Sequence, residues 1–579
     1  MNGRETKPLA DTFDADLLAR LRATEAHLGR PLRVLHVGNI ANNAFHNATL
    51  LQRLGVSCDV LCPDYYHIMG CPEWEEADFD NQLEDQFRPA WTTQDLHGYQ
   101  RPRWFAQGPQ LVAMDYLIAR ANGDVAKANY LWRRLGIFNR TQASGPLDGL
   151  RSLAAETLSW VRRGYNVWNH VARLQGYLED WSNPYRNPCG VWGARILRLA
   201  APTLLRSAVA WQALSRMLGR WLPGSSRIRH HQAPLDTRTE LLCQSFRVAF
   251  PARADQLTPA DVEPSHWTIG QWTNLFQRYD IVQGFATSVI LPMVANVPYF
   301  AFEHGTLREI PFRVTPEGRL TALAYHLAQR VFVTNADCLP NARLIAGDRV
   351  SSINHPYDED LGFSIPINEV LRAQLCTALD ADFLLFHPTR QDWVADTGYA
   401  DKGNDIVFRA LAALRAQGLR VGAVCCEWGA NVVQSQQLAV DLGVTPHVRW
   451  IKPQANLGFI RMARACGLVV DQFKLGGFGG VTFKSLAAGV PVCTNLDEAA
   501  AMASLGTLPP VLRCADETEL LGLVAALYRD PRGLKTLAGE CRAWAKTHHS
   551  GSDVIATQLR CYLDFLDGGR IADASAAAS

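Results

Sequence analysis

The sequence predicts an α/β protein of two doubly wound, parallel-sheet domains facing a cleft, with a mainly helical insertion in the first domain. Three observations predict it. Short apolar runs alternate with helical patterns from residue 32 to about 80, and again from about 276. A second series with the same rhythm begins at "DFLLFHPTR". Between roughly 81 and 275 the alternation stops, and long helical patterns separated by polar, aromatic-rich loops replace it.

The first unit is "LRVLHVGNIANNAFHNATLLQRLGVSCDVLCPDYY". An apolar run from Leu32 to Val37 reaches Gly38 and Asn39, a helical pattern ends at Gly55, and a second strand spans Ser57 to Cys62. Such a βαβ unit implies parallel strands with a ligand crevice at their carboxyl ends. Its loop is not GxGxxG, which argues against NAD. The rhythm resumes with strands at Ile281 to Gln283 and Tyr299 to Phe302 around an apolar helix, then "QRVFVTNAD" and "VSSINHPYD". The second series continues through "RVGAVCCEWG", "HVRWIKP", "GLVVDQF" and "VPVCTN", and two or three amphipathic helices follow Asp516. The resulting division is 1–80 and 276–365 for the first domain, 81–275 for the insertion, 366–567 for the second domain, and a disordered Ala/Ser tail at 568–579.

The 579 residues are 48% hydrophobic and 20% charged, with net charge +1, which fits a soluble globular chain and argues against a general nucleic-acid binder. The polar opening "MNGRETKPLADTF" lacks a signal-peptide pattern, so a cytoplasmic location is expected. No run of about 18 uncharged apolar residues suggests a membrane span. The 14 cysteines form no CxxC pair and have no metal-ligand spacing, so buried free thiols are expected and no metal. GxSxG, HExxH and Walker A sequences do not occur.

Two stretches carry chemistry. In "FHPTRQDWVADTGYADKGND" a strand delivers Arg390 to its carboxyl end, and Lys402 precedes Gly403 and a helix. Two cations at that side of a sheet suit a diphosphate. In "GGFGGVTFKSLAAGVPV" Gly476, Gly477, Gly479 and Gly480 permit close backbone approach, and the amides near Val481 and Thr482 open a helix toward the crevice.

The order of these pieces, with the "HVGN" loop and "EHG" at Glu303 to Gly305, resembles the GT-B glycosyltransferases of family four, over roughly 32–75 and 278–565. The resemblance implies two Rossmann-like domains and a retaining, metal-independent sugar transfer in the cleft. The donor would be a nucleotide diphosphate sugar and the acceptor a glycan or a lipid-linked glycan, with no cofactor. It assigns Arg390 and Lys402 to the diphosphate, Gly38 and Asn39 to the loop beside the donor phosphates, and His304 to the transferred sugar. His304 reads equally as a structural histidine. Glu303 and Arg308 either bind the acceptor or pair with each other.

The chain departs from the family in its Glu-x7-Glu motif, where Gly476 and Lys484 stand in place of both glutamates. Lysine has no acceptor, so it cannot bind the ribose diol as a carboxylate does, a contact worth roughly a few kcal/mol. Asp471 and Gln472, at the strand end just before the loop, are candidate replacements on the sugar side. Lys484 is then part of an altered active site, a contact for a donor with extra negative charge, or the mark of a degenerate site. The last makes the chain a nucleotide-, glycan- or partner-binding module; a sugar-nucleotide epimerase of the same architecture is a further alternative.

From Trp181 to Leu235 there is no Asp or Glu, while eight arginines and Trp192, Trp211 and Trp221 accumulate. Residues 190–230 read either as a helix peripheral to an anionic membrane surface or as a helix packed on the protein with its arginines in water.

Overall fold

The computed structural model describes residues 13–80, 83–141, 232–266, 268–394 and 401–578. The basic stretch 190–230 lies outside them, with the rest of 142–231 in the expected insertion. Two parallel sheets form the frame. The first has seven strands in the order β3-β2-β1-β4-β5-β6-β7. These are β1 Arg33–Val37, β2 Ser57–Pro63, β3 Phe105–Gly108, β4 Ile281–Phe285, β5 Phe300–Glu303, β6 Val331–Val333 and β7 Val350–Ser352. The second has six, in the order β10-β9-β8-β11-β12-β13. These are β8 Phe383–His387, β9 Val421–Cys426, β10 Val448–Ile451, β11 Gly467–Val470, β12 Val492–Thr494 and β13 Leu512–Arg513. In each sheet the order reverses beside the first strand in sequence, β1 or β8, which creates the switch point where ligands of such folds bind.

Apart from the edge strands β7, β10 and β13, the strands are buried on both faces, which is why they read as continuous apolar runs rather than alternating ones. Leu35, Val37, Ala301 and Val333 face one core of the first sheet; Val34, Val60, Phe302 and Phe332 face the other. Leu384 and Phe386 against Leu385 and Val470 divide the second sheet in the same way. Each fully buried Leu or Phe contributes roughly 1.5–3 kcal/mol.

Two features differ from the sequence expectation. The range 81–275 contributes β3 as an edge strand, and the helices Gln110–Ala121 and Ile269–Phe276 add Tyr116, Leu117, Trp272 and Phe276 to the first domain's core. "WFAQG" is too short to register against its helical surroundings. The final helix, Gly551–Ala578, returns to the first domain, where Ile555, Leu559 and Tyr562 join the core. Gln558 donates to Asn47 at 2.7 Å, and Tyr562 to Gln283 at 2.6 Å, so its polar groups are matched there as well. That helix continues through 568–578, where a disordered tail is expected; alanine is the strongest helix former. No helix among the described residues is long and apolar enough to cross a membrane.

The described cysteines are free and mostly buried. The domains also meet along the cleft wall. Ile68, Trp74 and Leu83 of the first pack with Ala455 of the second, and Arg461 donates to Asp78 at 2.6 Å.

Candidate functional site

A cavity of about 190 Å³ lies between the domains. Asn43, His46, Glu75 and His304 line it from the first domain, Trp428 and Lys484 from the second. Of the residues singled out from sequence, His304, Gly480, Val481 and Lys484 line it.

The wall on the second domain is the helix Gly480–Ala487. Gly479 caps it in an extended conformation without a side-chain hydrogen bond, so its first amides remain for water or a ligand. A Cβ built on Gly479 meets no atom within 4 Å. Gly476 is different: its added Cβ would lie 3.0 Å from the backbone nitrogen and Cβ of Asp497, and its carbonyl accepts the Asp497 amide at 2.9 Å. None of Gly476, Gly477, Gly479 and Gly480 has a positive φ.

Asp471 and Thr482 set the helix position. The Asp471 carboxylate accepts from Thr389 at 2.8 Å and from Thr482 at 2.9 Å, tying the ends of β8 and β11 to the first helical turn. Burial raises its pKa while those bonds and Lys402 oppose the shift. Asp471 is thus an internal brace, with both oxygens occupied, rather than a group turned to a sugar. Gln472 is also tied in, accepting from Lys402 at 2.8 Å and donating to the Gly477 carbonyl at 3.2 Å.

Lys402 owes its position to backbone bonds from its amide to Asp392 and from Phe473 to its carbonyl, at 2.7 and 3.0 Å. Burial lowers the pKa of its ammonium; Asp471 opposes this, and Arg390 and Arg308 lower it further. Arg390 and Arg308 therefore both act on Lys402, whose amine is linked through Gln472 to the Gly477 carbonyl just before the helix start. Arg390 is 47% exposed, and Asp392 is 3.4 Å from it. Arg308 pairs with Asp337 at 2.5 and 3.1 Å, not with Glu303.

Glu303 is fully buried at the end of β5. It accepts from Asn335 at 3.3 Å and is also hydrogen-bonded by the Cys338 thiol; burial raises its carboxyl pKa against both. His304 is half-buried, with Asn43 2.8 Å from its Nδ1. Burial first, and then Arg308, lowers it to about 4, so it is neutral at physiological pH.

The β1 loop is self-contained. Gly38 has φ +89°, and its close approach is to Ser288, whose Oγ lies 2.6 Å from a built Cβ. Asn39, 1% exposed, accepts from the Phe45 amide and donates to Asn42 and the Gly70 carbonyl, so it holds the loop rather than a ligand.

Sequence reasoning missed Glu75. Its carboxylate lies 3.0 Å from the Lys484 amine, 3.3 Å from His46 Nε2 and 3.3 Å from the Asn42 amide. Burial pushes its pKa up, but Lys484 and His46 outweigh that and hold it below the usual range. Lys484 also stands over the Tyr357 ring, 5.6 Å from its centroid. The local signal was weak, because "CPEWEEADFD" reads as a solvated acidic turn until the second domain covers it.

No protein-family model matches the chain. It is similar to the D-inositol 3-phosphate glycosyltransferase of Mycobacteroides abscessus, 28% identical over 171 residues, which are 28% of this chain and 38% of the relative. For the protein of the same name from Mycolicibacterium smegmatis, the figures are 28% over 187 residues, 31% of this chain and 42% of the relative. The chain thus spans about two fifths of the length of these curated relatives. Among solved structures it is similar to Anabaena HepE in complex with UDP and glucose, with TM-score 0.42 and 17% identity over 50% of this chain and 80% of that one. The sucrose-phosphate synthase of Thermosynechococcus elongatus gives 0.38 and 15%, over 54% and 79%.

Proposed function

We propose that this chain is a glycosyltransferase that moves a sugar from a nucleotide diphosphate donor to a glycan or lipid-linked acceptor, with retention and without a metal. The carrying observation is Lys402, acted on by Arg308 and Arg390 and linked through Gln472 to the Gly477 carbonyl just before the uncapped helix start at Gly480, with open space over Gly479. Charge builds on the leaving diphosphate as its bond to the anomeric carbon breaks. Fixed cations and amides hold that charge better in the transition state than in the ground state, which is what accelerates the step. The relatives named for glycosyl transfer from a limited match support the same reading. His304, neutral and on the cavity wall, faces the transferred sugar in this reading.

One observation favours a second reading, a nucleotide- or glycan-binding module without turnover. Position 476 has no carboxylate, and Lys484 is paired with Glu75, so the cleft lacks both family glutamates.

Calorimetric titration with UDP, GDP, ADP, CMP and their sugar conjugates tests both. The expected result is tight binding of one nucleotide, weakened at least about 10-fold in Arg390→Ala, followed by sugar transfer with that donor. Binding without transfer across an acceptor panel supports the module. No binding by folded protein overturns the transferase and the nucleotide-binding module, and no binding of a glycan panel as well overturns the glycan-binding module.

A further inference from the structure

Besides His46 and His304, the cleft holds a histidine that no motif reading picks out. His355 follows β7 on the segment leading to the second domain, and Pro356 behind it confines its backbone to extended conformations. The residue is 4% exposed and lines the interdomain cavity. Its ring centroid is 6.0 Å from that of His304, with the planes at 82°. Phe483 stacks on it at 5.0 Å and 20°, and His549 stacks on Phe483 at 5.1 Å and 14°. The helix that follows the glycine loop therefore clamps the ring in its plane.

Hydrogen bonding assigns the protons. His355 bonds the Phe478 backbone, and its Nε2 is buried without a partner. The ring that donates to a carbonyl through Nδ1 has a bare lone pair on Nε2. On His304 the pattern is reversed. The Asn43 amide donates to Nδ1, so the neutral ring carries its proton on Nε2. Burial, then His304 and His549, holds His355 well below the ordinary histidine range, so its lone pair persists at neutral pH. A buried acceptor without a donor is destabilising, and proteins seldom keep one that no ligand or water meets.

We propose that Nε2 of His355 accepts a hydrogen bond from a hydroxyl of the donor's sugar while the Nε2 proton of His304 is donated to the same or the adjoining hydroxyl. This makes His355 a specificity-determining residue, and it rests on the reading of the cleft as a nucleotide-sugar site. The chemistry selects the ligand group. A hydroxyl both gives and accepts, whereas a phosphate oxygen ionised at neutral pH has no proton to give, and an apolar surface leaves the lone pair unmet. His355 also supplies an acceptor in a cavity where Gly476 has none to offer and Asp471 has both oxygens occupied.

The test compares wild type with His355→Phe, which keeps the ring stack and removes the acceptor. UDP-glucose, UDP-N-acetylglucosamine, GDP-mannose and ADP-glucose are titrated calorimetrically. The tightest is then compared with its 2-, 3-, 4- and 6-deoxy analogues and with the nucleoside diphosphate alone. Wild type should lose on the order of 10-fold in affinity for one deoxy analogue. His355→Phe should bind the parent on the order of 10-fold more weakly. It should distinguish that analogue clearly less well than wild type does, since only the His304 contact remains, and its affinity for the nucleoside diphosphate should be unchanged.

Deoxy discrimination that is undiminished in His355→Phe, with Arg390-dependent nucleotide binding intact, overturns this proposal and spares the reading beneath it. No binding of any sugar nucleotide overturns both. Should the variant fail to fold, nitrogen-15 NMR of wild type decides. The bare Nε2 resonance of His355 should move on adding the sugar nucleotide and stay in place with the nucleoside diphosphate alone; an unmoved resonance in both overturns the proposal.

Discussion

At one end of the cleft the Arg390 side chain is 47% exposed, and its ion-pair partner Asp392 is 3.4 Å away. At the other, Lys484 is 18% exposed and lies 3.0 Å from a Glu75 that is 5% exposed. Both are cations of the second domain, Lys484 on the cavity wall, yet only the first keeps charge available to a ligand. A loosely paired, hydrated guanidinium can exchange water for phosphate oxygens at little cost. A buried pair is different, because its attraction offsets a large desolvation penalty only while both partners stay in place. Lys484 is therefore a strut between domains. Of the uses the sequence leaves open for it, contact with an additional anionic group on the donor is the one this pairing opposes.

Breaking the strut should have the largest effect. Lys484→Met leaves the Glu75 carboxylate buried without its cation and should destabilise the protein by about 3–5 kcal/mol in urea unfolding. Adding Glu75→Gln should restore most of that loss. A cost below about 1 kcal/mol in the single variant would show that the pair does not join the domains. The pH dependence follows from the direction of the Glu75 shift. Its pKa in the folded protein lies below the unfolded value, so its contribution is complete above the ordinary carboxylate range and is lost as pH falls through the folded value. The stability gap between wild type and Glu75→Gln should be flat near neutrality and shrink below about pH 4.

Next comes the open end. Lys402→Met should lower affinity for the selected nucleoside diphosphate by about 10–100-fold in calorimetry, because a charge-assisted contact to phosphate is lost. Its unfolding transition should barely move, since the amine's bond is to the neutral Gln472 amide. Equal losses of stability at Lys402 and Lys484 would erase the contrast between the two ends.

The contrast can also be sharpened. Lys484→Glu alone puts two carboxylates together under cover, which should destabilise the protein. Paired with Glu75→Gln, it should fold and bind UDP on the order of 10-fold more tightly than wild type, because a diol acceptor is then present at the helix. An unchanged affinity in the double variant would mean that the ribose does not reach position 484.

What was legible in the sequence follows the same division. Strands buried on both faces announce themselves as apolar runs, so β1, β2, β4 to β6 and β8 to β12 were readable within a few residues, and the edge strand β7 was placed as well. β3 was not, since four residues beside long helices give no period. Arg390 and Lys402 could be placed from the sequence because one strand end and one loop position them; their role at a diphosphate is the proposal above. Glu75, His46 and His355 were not, since each matters only through a residue hundreds of positions away or through a proton's location. Asp471 and Asn39 failed for the opposite reason. They sit at strand ends, where ligand-binding groups gather, but their oxygens and amides are taken up by neighbouring loops.

The smallest expected effect separates two glycines that look alike in sequence. An added Cβ at Gly476 lies 3.0 Å from Asp497 backbone and side-chain atoms, a contact that cannot relax by rotating a flexible chain. Gly476→Ala should therefore lower stability by about 1 kcal/mol, whether or not nucleotide is present. At Gly479, φ is −99° and the added Cβ meets nothing within 4 Å, so Gly479→Ala should leave stability within about 0.5 kcal/mol of wild type. If a diphosphate rests on the uncapped amides beyond it, the same methyl group stands where the ligand must approach. Affinity should then fall several-fold while the unfolding curve stays in place, about 1 kcal/mol read in binding alone. A Gly479→Ala variant that binds nucleotide as wild type does would move the phosphates away from the helix start and leave Arg390 and Lys402 to hold them unaided.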